Sequence, residues 1–330
     1  MVFLNNKILT ERRSFFAHRF SMQKSVRQTL LMGTLLLAAF VSTTLLSSMS
    51  QAATTADQWL IRFADAMYSY HYSGVLVYSR EGQLDTVELS HDVSEAGEEA
   101  RLSYLDGIPR EFLQRGNQIT QKISGETVAS DRIHGRNPSG RFSGGLEQVK
   151  KYYQLQLKGQ SRVVGRPSVV VEIIPRDNQR LGYRLWLDKE SALLLKSVTL
   201  DPLSRELETF QFTSFAFTQR DKPLKKSDDK AAMPAASLPW LPEGFEVYMV
   251  KESVPVSETH LANMFSLSDG ISTFSVFVEP LRADSLKEGV HQYGATVVVV
   301  RKVLNDNLAQ MVTVVGEIPL HTARKVAVAF

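Results

Sequence analysis

Apolar and polar residues alternate along most of residues 72–217, and this alternation is the feature that most limits the fold of the chain. Side chains of a β-strand point alternately to its two faces, so the pattern predicts strands with one buried face. Short polar turns separate most of the segments, which makes neighbouring strands antiparallel. The segments are GVLVYS, DTVELSHDV, ARLSYLD, REFLQRGN, QITQKI, YQLQLKG, SVVVEIIP, YRLWLD, LLLKSVTLD and ETFQFTSFAF.

The last part of this region, residues 168–217, predicts a meander with a strongly apolar hairpin at its centre. The hairpin is YRLWLDKESALLLK, residues 183–196, in which two apolar runs flank the polar turn DKES. The segments GRP at 165–167 and DPLS at 201–204 predict the neighbouring turns, because glycine and proline supply the backbone angles that turns require. The meander therefore places several apolar strands side by side.

Two segments show helical spacing instead of alternation. One precedes residue 72, and the other begins at residue 146, after a loop. Leu60, Phe63, Ala64 and Met67 recur at the helical period, and Thr55 with Gln58 three residues later forms a capping-box pattern. LEQVKKYY, from residue 146, predicts a second, short helix. The glycine- and arginine-rich segment 130–145 between the strands and this helix predicts a loop.

Composition changes at residue 220, which predicts a domain boundary. Residues 220–237 are rich in charge, proline and alanine, as is typical of an exposed linker. Residues 238–330 then show strand patterns, turn signals at Asp269-Gly270 and at Asn305-Asp306-Asn307, and a closing helix in PLHTARKVAVAF. We therefore expect an α+β protein whose smaller second domain has an antiparallel sheet with a helix or two on one face.

The first residues predict an export signal. Residues 30–46 are apolar, follow Lys24 and Arg27, and precede the small residues Ser50 and Ala52, so we expect residues 1–52 to be cleaved after Ala52. A membrane anchor is the alternative. The residues before Met22 indicate either a true start at Met22 or a weak twin-arginine signal in ERRSF.

Composition narrows the classes of function. The chain has 38 basic and 35 acidic residues, so we expect no nucleic-acid partner. It has no cysteine, which excludes disulfides, thiolate metal sites and a lipid-bearing cysteine after the signal. Neither a phosphate-binding loop, nor a serine nucleophile elbow, nor a histidine pair at metal-binding spacing is present. We therefore expect a binding protein without cofactor or metal rather than an enzyme.

Several motifs carry a resemblance to known families. LWLDKESALLLKSVTLD resembles the core hairpin of the periplasmic lipoprotein carriers LolA and LolB. The further motifs lie in the same order as in the RseB/MucB family of periplasmic sigma-E regulators, and the chain is similar to that family over nearly all of residues 53–330. They are IPREFLQRGNQIT, LPWLPEGFEV, LSDGISTFSVFVEP and VTVVGEIPLHTARKVA.

The resemblance implies a fold and a function. Residues 53–219 are expected to form a lipid-sensing domain, a half-open antiparallel β-barrel with covering helices, and residues 238–330 a smaller domain that binds the anti-sigma factor. The implied function is to bind the periplasmic domain of the anti-sigma factor RseA/MucA and protect it from proteolysis until lipopolysaccharide or mislocalised lipoprotein releases it. The family makes a homodimer a further expectation, and a periplasmic lipid carrier is the alternative function.

Candidate binding residues follow from this interpretation. Acyl chains need apolar side chains, whereas lipid phosphates are bound well by arginine and lysine. A dry core and a solvated surface are the alternative roles of the two sets. The candidates for lipid binding are Trp186, Leu193, Leu195, Phe210 and Phe212. The candidates for phosphate or partner binding are Arg136, Arg141, Lys225, Lys226, Arg301, Lys302, Arg324 and Lys325.

Overall fold

Two antiparallel sheets make up most of the chain. The computed structural model describes residues 54–330 except 95–96, 116–117, 132–144, 222–237, 256–260, 284 and 306–307. The predicted signal, most of the loop 130–145 and most of the linker 220–237 lie outside the described residues. Residues 54–330 form one compact unit that contains both sheets.

The first sheet has 12 strands in the order β6-β5-β4-β3-β2-β1-β11-β10-β9-β8-β7, and β12 pairs with β1. Its elements, which we call the first domain, are α1 (Ala56–Ser69), β1 (Tyr70–Arg80), β2 (Gln83–Ser94), β3 (Gly97–Tyr104), β4 (Arg110–Arg115), β5 (Gln118–Ile123), β6 (Glu126–Asp131), α2 (Leu146–Tyr152), β7 (Tyr153–Val163), β8 (Arg166–Pro175), β9 (Gly182–Asp188), β10 (Leu194–Leu200), β11 (Glu206–Phe212) and β12 (Ala216–Gln219). The predicted antiparallel fold with few helices is confirmed. The described strands do not close into a barrel, because β6 and β7 are the two ends of this order.

Helix α1 packs on one face of this sheet. Its predicted capping box is present: the Thr55 hydroxyl accepts from the backbone N–H of Gln58 at 3.3 Å, and the Gln58 side chain accepts from the Thr55 N–H at 2.9 Å. The buried side of α1 joins the odd-numbered residues of β8 and β9 in one apolar cluster. These residues include Trp59, Leu60, Phe63, Met67, Val169, Val171, Ile173, Tyr183, Leu185 and Leu187.

The central hairpin β9–β10 turns at residues 188–191, as predicted. The buried Asp188 carboxylate accepts from the N–H and the hydroxyl of Ser191, both at 2.9 Å, and from Arg166 Nε at 2.7 Å. Burial alone would raise the pKa of Asp188, but the bonds from Arg166 and Ser191 outweigh it, so the pKa is lowered. The carboxylate therefore stays charged and fixes the turn.

Two local predictions differ from the structure. The turn predicted at residues 165–167 lies at Val164 and Gly165, both with positive φ, while β8 already begins at Arg166. Strand β6 was not predicted because ETVASD lacks large apolar residues. It pairs with β5 through a turn at Ser124 and Gly125, which also have positive φ.

The second sheet has 6 strands in the order β13-β14-β15-β18-β17-β16, and we call its elements the second domain. They are β13 (Glu246–Pro255), β14 (Leu261–Ser268), β15 (Thr273–Pro280), β16 (Gly289–Tyr293), β17 (Thr296–Asn305), β18 (Leu308–Gly316) and α3 (Leu320–Val328). Helix α3 packs on the sheet through Ala323, Val326 and Ala327, in a core separate from that of the first domain. The predicted sheet and closing helix are confirmed.

A substitution at Gly316, in the central strand β18, tests how β18 packs against β15. A Cβ at this position would collide with the Cα and Cβ of Phe274 on β15, whose backbone cannot move without breaking the sheet. We expect Gly316→Ala to lower the free energy of unfolding in urea by roughly 1–3 kcal/mol, which is typical of overpacking.

Gly289→Ala on the edge strand β16 is the matched control, because the nearest atom to its added Cβ is His291 Nε2 at 3.7 Å. If both variants unfold at the same urea concentration, the packing described for β15 and β18 is wrong.

Candidate regulatory site at the domain junction

A fully buried arginine joins the two domains. Arg180 lies in the loop between β8 and β9, and its Nη1 donates to Asp269 of the second domain at 2.9 Å. Its Nη2 donates to Asp177 at 2.9 Å and to the Glu243 carbonyl at 2.6 Å. The guanidinium carbon lies within 5.6 Å of the ring centroids of Tyr152, Tyr153 and Phe245. Burial alone would lower the pKa of Arg180, but Asp177 and Asp269 raise it, so the side chain stays charged.

Asp269, the partner of Arg180 in the second domain, lies at the start of the turn between β14 and β15. Its buried carboxylate accepts from the backbone N–H groups of Ile271 and Ser272 at 2.9 and 2.8 Å. It also accepts from the Tyr153 hydroxyl at 2.7 Å. Burial first, and the negative charge of Asp269 next, raise the pKa of Tyr153 well above its ordinary value, so this hydroxyl remains a donor.

The turn between β16 and β17 makes a second contact with the first domain. The Glu208 carboxylate of β11 accepts from the Ala295 N–H at 3.2 Å and from the Tyr78 hydroxyl at 2.6 Å. Glu81 accepts from the Gly294 N–H at 3.1 Å. In both turns of the second domain, backbone N–H groups thus donate hydrogen bonds to carboxylates.

Each of these turns places an apolar side chain in the core of the first domain. Ile271 is 3% exposed and Ala295 is 1% exposed, and both belong to the apolar cluster beneath α1. Most of the other buried apolar side chains described in the second domain form a cluster of their own. We call Ile271 and Ala295 the plug residues, because they fill first-domain space from the second domain.

The candidate lipid-binding residues divide between the two faces of the sheet. Leu193 and Phe212 belong to the cluster beneath α1, and the half-buried Phe210 packs against it. Trp186 alternates with Leu185 and Leu187, so it lies on the opposite face, where Lys196 Nζ is 4.8 Å from its ring. Leu195 is buried outside that cluster.

The candidate cations also fall in separate places. Arg301 and Lys302 are exposed neighbours on β17 and therefore point to opposite faces of the second sheet. Arg324 and Lys325 are exposed on α3, with Lys325 Nζ 4.0 Å from the Trp240 ring. The candidates Arg136, Arg141, Lys225 and Lys226 lie outside the described residues.

The sequence analysis missed Arg180 and its partners. Asp269 appeared only as a turn residue, and Arg180 stands in a polar segment typical of an exposed loop. An arginine is almost never fully buried unless it is paired, and its partner in the second domain is 89 residues away. No local signal reveals such a pair.

Comparison with known proteins assigns the family. The sequence model of the MucB/RseB N-terminal domain matches residues 55–236, and that of the MucB/RseB C-terminal domain matches residues 233–330. The chain belongs to the MucB/RseB family. The sigma factor AlgU regulatory protein MucB of Pseudomonas aeruginosa is 37% identical over 298 residues, 84% of this chain and 91% of that protein. The sigma-E factor regulatory protein RseB of Escherichia coli K12 is 27% identical over 307 residues, 88% and 95% of the two chains.

Solved structures of this family include both domains. A complex of Pseudomonas aeruginosa MucA and MucB aligns with a TM-score of 0.66 and 35% identity, covering 82% of this chain and 96% of that one. MucB alone aligns with a TM-score of 0.61 and 32% identity, covering 83% and 96%. Within the described part of residues 54–330, no helix is long and apolar enough to cross a membrane.

Arg180→Met should destabilise the protein strongly, because it leaves the buried Asp269 carboxylate without its cation. We expect a loss of about 3–5 kcal/mol in the free energy of unfolding in urea. Arg180→Met combined with Asp269→Asn should recover part of the loss, since it removes both charges.

Arg205→Met is the control, because Arg205 pairs with Asp201 at 2.7 Å but its side chain is 75% exposed. Exposed pairs contribute up to about 1 kcal/mol. Equal losses for Arg180→Met and Arg205→Met would contradict the role given to Arg180.

Proposed function

We propose that this protein is a periplasmic negative regulator of a sigma-E-type stress response. It binds the periplasmic domain of the membrane anti-sigma factor of its own organism and protects that domain from proteolysis. The observation that carries this proposal is the similarity to MucB across both domains, in sequence and in the solved complex with MucA. The domain junction consists of buried ion pairs and turns, and this is compatible with a binding protein.

Release by lipid is the second part of the proposal. In this account the first sheet acts as a half-open barrel whose α1-covered face receives the acyl chain of lipopolysaccharide or of a mislocalised lipoprotein. The supporting observation is that this face carries aromatic side chains that are only half buried, among them Tyr78, Tyr104 and Phe210. An acyl chain there would bury additional apolar surface, at roughly 0.8 kcal/mol for each methylene.

Fluorescence anisotropy tests the function directly. The labelled periplasmic domain of the organism's own anti-sigma factor is titrated with the protein lacking residues 1–52, and lipid A or an acylated peptide is then added. We expect binding that either lipid reverses. Absence of binding at every protein concentration would refute the proposal, and uptake of lipid without such binding would favour the carrier function.

Charge reversal tests the basic residues of β17. We expect Arg301→Glu combined with Lys302→Glu to weaken anti-sigma binding at least tenfold, because two exposed cations become anions. Anisotropy titrations at low and high salt measure the effect. Arg162→Glu combined with Lys189→Glu, at two exposed cations of the first domain that are not candidates for partner binding, changes the net charge equally, so an equal loss there would show general attraction and contradict a local contact.

A reversible crosslink tests whether release needs the domains to separate. A Cβ built on Gly294 lies 3.2 Å from the Arg80 Cβ, shorter than the separation of about 3.5–4.5 Å in a disulfide, and 2.9 Å from Glu208 Oε2, so the bridge requires the turn at Gly294, which has positive φ, to shift slightly. The chain has no other cysteine, so Arg80→Cys with Gly294→Cys forms a single bridge. We expect lipid to release the anti-sigma domain from the reduced protein only. Equal release from the oxidised protein would contradict separation of the domains.

A further inference from the structure

We propose that the plug residues occupy the inner part of the acyl-chain site, so that the second domain and an acyl chain exclude each other from the same space. This inference rests on the proposed function and adds a physical route for its regulation. The ligand class is a single saturated acyl chain, whether it comes from a lipoprotein or from lipopolysaccharide.

The first argument is the position of the plug residues. Ile271 and Ala295 are in the same buried cluster as Phe63 and Leu185 of the first domain, although they belong to the other sheet. In this proposal an acyl chain takes the part of the cluster that these two side chains fill, so it must displace them. Protein interiors are close-packed, so a chain of several methylenes cannot enter without displacing something.

The second argument is the chemistry of the turns that carry the plug residues. Polar groups hold both turns at their edges: Asp269 of the first turn accepts from Arg180 and Tyr153 of the first domain, and the Ala295 N–H of the second turn donates to Glu208. Those carboxylates and Arg180 would be hydrated if the turns withdrew, so no buried charge would be stranded. The two turns can thus withdraw from the first domain as rigid units, with the apolar plug residues at their tips and polar groups at their edges.

The third argument is the ligand class. The cluster that surrounds the plug residues consists of aliphatic and aromatic side chains. An acyl chain has more methylenes than an isoleucine side chain, so it buries more apolar surface when it replaces Ile271. Because the plug residue and the acyl chain compete for the same space, removal of the plug should strengthen binding of the acyl chain.

The test measures binding of a dansyl-labelled long-chain fatty acid to the protein lacking residues 1–52. We expect Ile271→Ala to bind the probe roughly fivefold or more tightly than the unmodified protein, the scale typical of coupling between sites. Ile318→Ala is the matched control, because Ile318 is 1% exposed in the core of the second domain alone. It loses the same atoms from the same domain but should leave the affinity for the probe unchanged.

A second arm compares one protein in its two redox states. The Arg80→Cys, Gly294→Cys protein should take up the probe when reduced and should bind it at least tenfold more weakly when oxidised, because the bridge keeps Ala295 in the core. Competition with lipid A and with an acylated peptide then shows which source of acyl chain displaces the probe.

The outcomes separate this inference from the proposed function. If Ile271→Ala and Ile318→Ala bind the probe equally, and the oxidised protein binds it as well as the reduced one, the plug residues do not occupy the acyl-chain site. Failure of the proposed function would appear instead as absence of anti-sigma binding to the unmodified protein.

Discussion

The ion pair between Arg180 and Asp269 is the interaction on which the arrangement of the two domains depends. Both side chains are fully buried, and each is completed by further partners, so neither charge is stranded. A buried pair adds little net stability compared with well-packed apolar residues, but breaking it is costly. Its main effect is therefore geometric, because it places the turn that carries Asp269 against the loop of Arg180.

This geometry explains how the two separate apolar cores are connected. Each sheet has its own apolar cluster, yet Ile271 and Ala295 cross from the second domain into the first. The polar rim fixes the orientation of the turns, and their apolar tips add close packing beneath α1. In the proposed regulation, a ligand in the first core changes the second domain by direct competition, without a chain of intermediate residues.

Local patterns predicted the elements well. The capping box of Thr55 and Gln58 identified α1, period-two alternation identified most strands, and the turn at 188–191 was found from its polar residues. Strand β6 was not predicted because ETVASD has no large apolar residue that would indicate a buried face. Alternation also leaves the two faces equivalent, so it could not show that Phe212 and Trp186 lie on opposite sides. The Arg180 network depends on contacts between distant segments, which no local pattern encodes.

Distance measurement between the domains tests the central claim most directly. Spin labels on cysteines introduced at Leu203 and Val328, which are 74% and 54% exposed in the first and second domains, report the separation by pulsed electron paramagnetic resonance. We predict one narrow distance distribution for the protein alone and with the anti-sigma domain, and a shifted distribution once an acylated peptide is bound. A distribution that stays the same after saturation with the acylated peptide would contradict regulation through the domain junction.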